Sequence, residues 1–112
     1  MSAELPLEID VLSVKDMFDR GEDFLLLDCR EPDEYSLARI TNSKHIPMNQ
    51  IPVRIDELNA LRPKRIVVHC HHGGRSLRVT KWLRQQGFSN AQNMDGGIDA
   101  WSLQIDTSVP RY

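Results

Sequence analysis

The sequence predicts an α/β domain with a mainly parallel sheet flanked by helices, and three observations carry that expectation. Short continuous apolar runs mark strands that are covered on both faces. Segments with helical apolar spacing lie between those runs. Gly and Pro are scattered as punctuation between the elements, with no internal repeat and no low-complexity stretch. In chain order, Ser13 is placed to cap a helix through Asp19, with Asp16 three residues on as a variant capping box and Gly21 as the stop. Phe24-Leu25-Leu26-Leu27 is the first buried strand. Ile51 to Leu61 carries apolar residues at Ile51, Ile55 and Leu58, which predicts a second helix. Ile66-Val67-Val68 is the second buried strand, and the helix after it runs from Arg75 to Gln86, closed by Gly87. On that helix Val79, Trp82 and Leu83 share one face, while Arg78, Lys81 and Arg84 share the opposite one. Leu77 falls on the basic face, and the pattern gives no reason for it. A weaker strand is expected over Ala91 to Met94, and residues 1–6 and 106–112 read as tails of a single domain spanning 1–112.

Composition narrows the function classes. A chain of 112 residues, 40% hydrophobic and 27% charged, has enough apolar material for one packed core. Fourteen basic against sixteen acidic residues, a net charge of -2, argue against a nucleic-acid partner. The longest apolar run, Phe24 to Leu27, is far short of the roughly 18 residues of a membrane span. The first twenty residues carry Glu4, Glu8, Asp10 and Asp16 and no apolar leader region, so a cytoplasmic, reducing setting is expected. Two cysteines, Cys29 and Cys70, without CxxC spacing, suit neither a disulfide framework nor a zinc ribbon.

One stretch carries chemistry. Ile66-Val67-Val68-His69-Cys70-His71-His72-Gly73-Gly74-Arg75-Ser76 runs from a strand through a thiol and two glycines into a helix. Ligands of open α/β sheets bind at the carboxyl ends of strands, where this spacing puts Cys70. Glycines let successive backbone N–H groups turn inward, and that nest, with the helix dipole, stabilises an anion. A thiolate is such an anion, so Cys70 is expected to have a depressed pKa and to act as a nucleophile or sulfur carrier. The Arg75 guanidinium is expected to reach the loop mouth and hold an anionic substrate group.

The loop resembles the active-site loop of the rhodanese family, CxxGxRS, standing here as Cys70-His71-His72-Gly73-Gly74-Arg75-Ser76. Two other stretches strengthen the resemblance. Asp28-Cys29-Arg30-Glu31-Pro32-Asp33-Glu34-Tyr35 is similar to the family's D-x-R-E-P-x-E-Y, and Gly96-Gly97-Ile98-Asp99-Ala100-Trp101 to its G-G-x-x-A-W. The resemblance implies a rhodanese-like fold with a central, mainly parallel five-stranded sheet. It implies a sulfurtransferase that moves sulfane sulfur from thiosulfate or a persulfide to a thiol or cyanide through a persulfide on Cys70; no cofactor and no metal are expected. The N–H groups of His71, His72, Gly73, Gly74 and Arg75 would bind the substrate sulfur, with Asp28, Arg30 and Ser76 as structural support. The sequence departs from the family at Ala38-Arg39-Ile40-Thr41-Asn42-Ser43, where G-H-I-P-G-A is usual; Asn42 can take the left-handed backbone of the missing glycine.

Alternatives follow from the same residues. His-Cys-x5-Arg-Ser is the cysteine phosphatase signature, but Arg75 follows Cys70 after four residues, and so short a ring suits one sulfur atom better than a phosphate. His69, Cys70, His71 and His72 are too closely spaced to converge on one tetrahedral metal ion. Cys29 is a bystander or a resolving thiol. A rhodanese-like module used only for binding would not need Cys70 and its loop, and both are kept. The basic face and the ending Val109-Pro110-Arg111-Tyr112, which resembles rhodanese domains fused to adenylating enzymes, suggest a protein sulfur donor or acceptor alongside the small-molecule donor.

Overall fold

The computed structural model describes residues 5–112. The elements run β1 (Glu8–Ile9), α1 (Val11–Asp19), β2 (Phe24–Asp28), α2 (Pro32–Leu37), β3 (Ser43–His45), a 3-10 turn (Met48–Gln50), α3 (Asp56–Asn59), β4 (Arg65–His69), α4 (Gly74–Gln85), β5 (Ala91–Met94) and α5 (Gly97–Gln104). The five strands form one sheet in the order β1-β5-β4-β2-β3, with every pairing parallel. The architecture is the five-stranded α/β sheet implied by the sequence.

Period-two alternation sorts the buried side chains onto two faces. Leu27, Cys29, Ile66, Val68 and Cys70 pack with Leu58, Val79, Leu83 and Phe88 under α3 and α4. Leu26 and Val67 pack with Val14, Met17, Ile98 and Trp101 under α1 and α5. The register sets Asp28 level with His69, and the Cys29 N–H donates to the His69 carbonyl at 3.1 Å. Cys29 and Cys70 therefore leave the ends of neighbouring strands on the same face.

Several boundaries differ from the expectation. The first helix starts at Val11, and Asp10 is its cap, accepting the Ser13 N–H at 2.9 Å, because a carboxylate one residue before the first turn reaches the N3 amide. Only Asp56–Asn59 of the expected 51–61 helix is α-helical. Around it the bonds are mostly of the i→i+3 kind, as in Leu58 N–H to Ile55 at 2.9 Å and Leu61 N–H to Leu58 at 2.8 Å, and Pro52 supplies no donor. Ile51 and Leu58 are buried all the same, so turns meet the apolar demand that suggested a helix.

Of the expected tails, residues 1–4 lie outside the described residues. Residues 106–112 form no regular element, yet they are not a loose tail. Val109 is buried, its carbonyl accepts from Ser102 Oγ, and Arg111 pairs with Asp99 at 2.9 Å. Ala38, at the departure from the family pattern, is buried, Arg39 lies over the Tyr35 ring at 4.5 Å, and Asn42 takes φ +70°, the left-handed conformation foreseen for it.

Candidate active site

Cys70 sits at the bottom of the loop between β4 and α4 and is 2% exposed. Its Sγ accepts from the Gly73 N–H at 3.1 Å, the Ser76 N–H at 3.4 Å and the Ser76 hydroxyl at 3.3 Å. Burial raises the thiol pKa, but the Ser76 hydroxyl and the N–H groups of Ser76, Gly73 and Arg75 outweigh it, and the net shift is downward. The donors converge because Gly73 caps α4 at φ +112°, a conformation in which L side chains are strained. That twist turns the first N–H groups of the helix toward the sulfur.

The loop is held from below and behind. Asn93 of β5 donates through Nδ2 to Glu8 at 2.9 Å and to the Gly73 carbonyl at 3.2 Å, while its Oδ1 accepts from Ser76 Oγ. The single hydroxyl hydrogen of Ser76 thus faces three acceptors, Asn93 Oδ1, the Gly73 carbonyl and Cys70 Sγ, of which a charged sulfur is the strongest. At the other end, the α5 N-terminus rests on the loop. Ile98 N–H bonds the Cys70 carbonyl at 2.9 Å and Asp99 N–H the His71 carbonyl at 3.1 Å. A Cβ at Gly97 would come within 2.5 Å of both carbonyl oxygens, which is why this contact requires glycine.

Arg75 departs from the sequence expectation. Its guanidinium forms a two-pronged pair with Glu34, Nη1 to Oε1 at 2.6 Å and Nη2 to Oε2 at 2.9 Å, so it does not stand free at the loop mouth. Glu34 also accepts the Glu31 N–H at 3.1 Å and the Tyr112 hydroxyl at 2.9 Å. Arg75, opposed by burial and helped by these other donors, holds the Glu34 carboxyl down to about 2. The pairing pushes the Arg75 pKa upward.

Asp28 and Arg30 form a fully buried pair, Nη2 to Oδ2 at 2.6 Å and Nε to Oδ1 at 2.9 Å. Arg30 also donates to the carbonyls of Glu34 at 3.2 Å and Ala38 at 2.6 Å and to the Tyr112 oxygen at 2.9 Å. These contacts fasten the middle and the C-terminal end of α2 to the end of β2. His69 lies fully buried on the same face, its Nε2 3.8 Å from Asp28 with no hydrogen-bond partner among the described residues. Burial, only partly opposed by Asp28, lowers its pKa to about 4, so it is neutral at pH 7.

The adjacent histidines diverge. His71 is sandwiched between the rings of His72 and Tyr112, with centroids at 4.0 Å on each side, and His72 is exposed, 3.8 Å from Asp99. Gly74 opens α4. Ser76, expected as support, touches the sulfur directly. The N–H groups on Sγ itself belong to Gly73 and Arg75, within the expected ring of residues 71 to 75, and to Ser76 beyond it. Cys29 is fully buried, and burial, with Cys70 and Asp28 nearby, pushes its thiol strongly upward. Sequence reasoning did not place Glu34, Asn93 or Tyr112 at the site. The Glu of the E-Y pair in the first motif was the available signal for Glu34. Arg84, placed on the solvated basic face, is committed to the Ala91 and Leu5 carbonyls at 2.8 Å each, while Arg78 and Lys81 are exposed and Leu77 is half-buried.

The family model described as a rhodanese-like domain matches residues 10–104. A sulfurtransferase of Allochromatium vinosum is 36% identical over 95 residues, covering 85% of this chain and 87% of that one. A putative sulfurtransferase of Bacillus subtilis is 35% identical over 94 residues, covering 84% and 88%. Against two longer relatives the chain spans a minor part: 30% of an Arabidopsis thaliana rhodanese-like/PpiC domain-containing protein and 21% of a Zea mays adenylyltransferase and sulfurtransferase. A crystal structure of a rhodanese-like domain protein from Staphylococcus aureus superimposes with a TM-score of 0.81 at 26% identity, covering 96% of this chain and 99% of that one.

Proposed function

The chain belongs to the rhodanese-like domain family, and from that membership we propose that it transfers sulfane sulfur through a persulfide on Cys70. The observation that carries this reading is the set of N–H and O–H donors from Gly73, Arg75 and Ser76 around one buried sulfur. In the first step the Cys70 thiolate attacks the outer sulfur of thiosulfate or of another sulfane donor. The new Sγ–S bond forms as the S–S bond of the donor breaks, and sulfite, or the donor's thiolate, leaves with the electron pair. In the second step a thiolate or cyanide attacks the outer sulfur of the Cys70 persulfide. Cys70 leaves as its thiolate, and the product is a new persulfide or thiocyanate.

The donor ring plays the part of an oxyanion hole for sulfur, stabilising Cys70 whenever it carries charge as nucleophile or leaving group. Two of the five Arg75 guanidinium N–H donors face Glu34, which leaves the others for the oxygens of thiosulfate. His71 and His72 frame the entry, and Gly73, left-handed at φ +112°, gives the loop its close turn before Gly74 opens α4. Asp28 and Arg30 keep α2 and its Glu34 in place. A protein thiol is the acceptor in a reducing cytoplasm, and Arg78 and Lys81 are the exposed charges that would meet it. Relatives named for both adenylyl and sulfur transfer support a relay role of this kind.

The test is an intact-mass measurement after incubation with thiosulfate. The protein gains one sulfur atom, the gain is lost on adding cyanide, and Cys70→Ala gains none. A wild-type protein that stays unmodified, or a Cys70→Ala variant that takes up sulfur, would overturn the reading.

A further inference from the structure

The segment expected as a tail ends on the active-site loop. The Tyr112 ring stacks on His71, the residue after Cys70, with centroids 4.0 Å apart and an interplanar angle of 11°. Its hydroxyl accepts from Arg30 Nη1 at 2.9 Å and donates to Glu34 Oε2 at 2.9 Å. That carboxylate oxygen is the one that accepts Arg75 Nη2. One side chain therefore touches the loop at His71, just after Cys70, and, through Glu34, at Arg75, one of the residues that cradle Sγ. The approach to this position is fixed as well. Ser102 Oγ donates to the Val109 carbonyl, and Arg111 pairs with Asp99, whose N–H is bonded to the His71 carbonyl at 3.1 Å. The environment suits a neutral phenol that stays a donor, since burial and the Glu34 carboxylate, opposed by Arg30, push its pKa up to about 12.

We propose that Tyr112 is a positioning residue for sulfur transfer: its hydroxyl aims the Glu34–Arg75 pair and its ring clamps His71, so that the loop holds Sγ and the donor in register. The proposal rests on the sulfur-transfer reading of Cys70. The two halves of the side chain have separable jobs. The hydroxyl acts on the donor through Arg75, and the ring acts on the N–H groups around Sγ through His71. Neither touches the reacting sulfur, and small displacements of such supporting groups are costly to rate.

The experiment compares Tyr112→Phe with Tyr112→Ala in the full chain. It measures kcat and KM for thiosulfate, the pH midpoint of Cys70 alkylation by iodoacetamide, and Tm. In Tyr112→Phe the KM for thiosulfate rises on the order of tenfold, with kcat and the alkylation midpoint near wild type. In Tyr112→Ala the alkylation midpoint also moves upward. An unchanged KM in Tyr112→Phe overturns the proposal. So does a fall in kcat/KM that is equal in both variants and matched by an equal loss of Tm, which would mark a purely structural role. A wild-type protein that takes no sulfur from thiosulfate defeats the sulfur-transfer reading instead, and an alkylation midpoint in Tyr112→Ala equal to wild type then defeats the clamp by itself.

Discussion

The reactivity of Cys70 is a contest between burial and four donor groups, and the donors prevail. The alkylation rate with iodoacetamide rises with pH as thiolate forms and levels off above the pKa, so its midpoint is expected below the reference of roughly 8.5. A midpoint at or above that reference would mean that burial wins. Ser76→Ala removes one hydrogen bond to the ionised sulfur, which should raise the midpoint and slow alkylation at pH 7 on the order of tenfold. Cys29, whose thiol burial pushes strongly upward, contributes little to the observed rate, as Cys70→Ala reports directly. Cys70 and the glycine turn after it were legible in seven consecutive residues. Ser76's contact was not, because spacing does not say which N–H groups a left-handed cap will turn inward. Glu34, Asn93 and Tyr112 come from 36, 23 and 42 residues away in the chain, and only the assembled fold brings them to the loop.

At the scale of elements, the loop depends on where α5 begins. Gly97→Ala puts a methyl group against the Cys70 and His71 carbonyl oxygens at a backbone φ of +59°, so it should cost about 1–3 kcal/mol. Gly74→Ala meets nothing within 4 Å and has no left-handed φ; in the first turn of α4 it should be neutral or slightly stabilising, by a few tenths of a kcal/mol. Urea unfolding of the two variants checks the contrast, and equal losses would mean that α5 does not press on the loop. The buried strands β2 and β4 were legible because continuous apolar runs have few other uses, whereas β5, Ala-Gln-Asn-Met, carries no such run and reads only as a weaker strand. β1 is two residues long and β3 reads Ser-Lys-His, so neither carries such a run. Both are edge strands held by one neighbour, and an edge needs less apolar surface. The 51–61 stretch shows the converse error, since turns can bury every third or fourth residue as a helix does.

For the molecule as a whole, the buried polar cluster of Asp28, Arg30 and His69 sets a dependence on acid. His69 titrates near 4 when folded and near 6.5 when unfolded, so between those values the unfolded chain binds the extra proton. Stability is thus retained above pH 6.5 and falls as the pH drops toward 4, by roughly 2 kcal/mol at pH 5 from this group. Asp28, whose folded pKa is lowered, adds a further loss below about pH 4. Urea midpoints at pH 7 and pH 5 measure the first effect. His69→Gln should flatten it, and a wild-type midpoint that does not move would show that His69 is not held neutral. No helix among the described residues is long and apolar enough to cross a membrane. The order of the sheet also has a consequence in time. β1 pairs with β5, and the loop leans on Asn93, Gly97 and Tyr112, all of which follow it in the chain. During synthesis the braces of this loop therefore emerge after Cys70, so the cradle around its sulfur is fully supported only once β5 and α5 have docked.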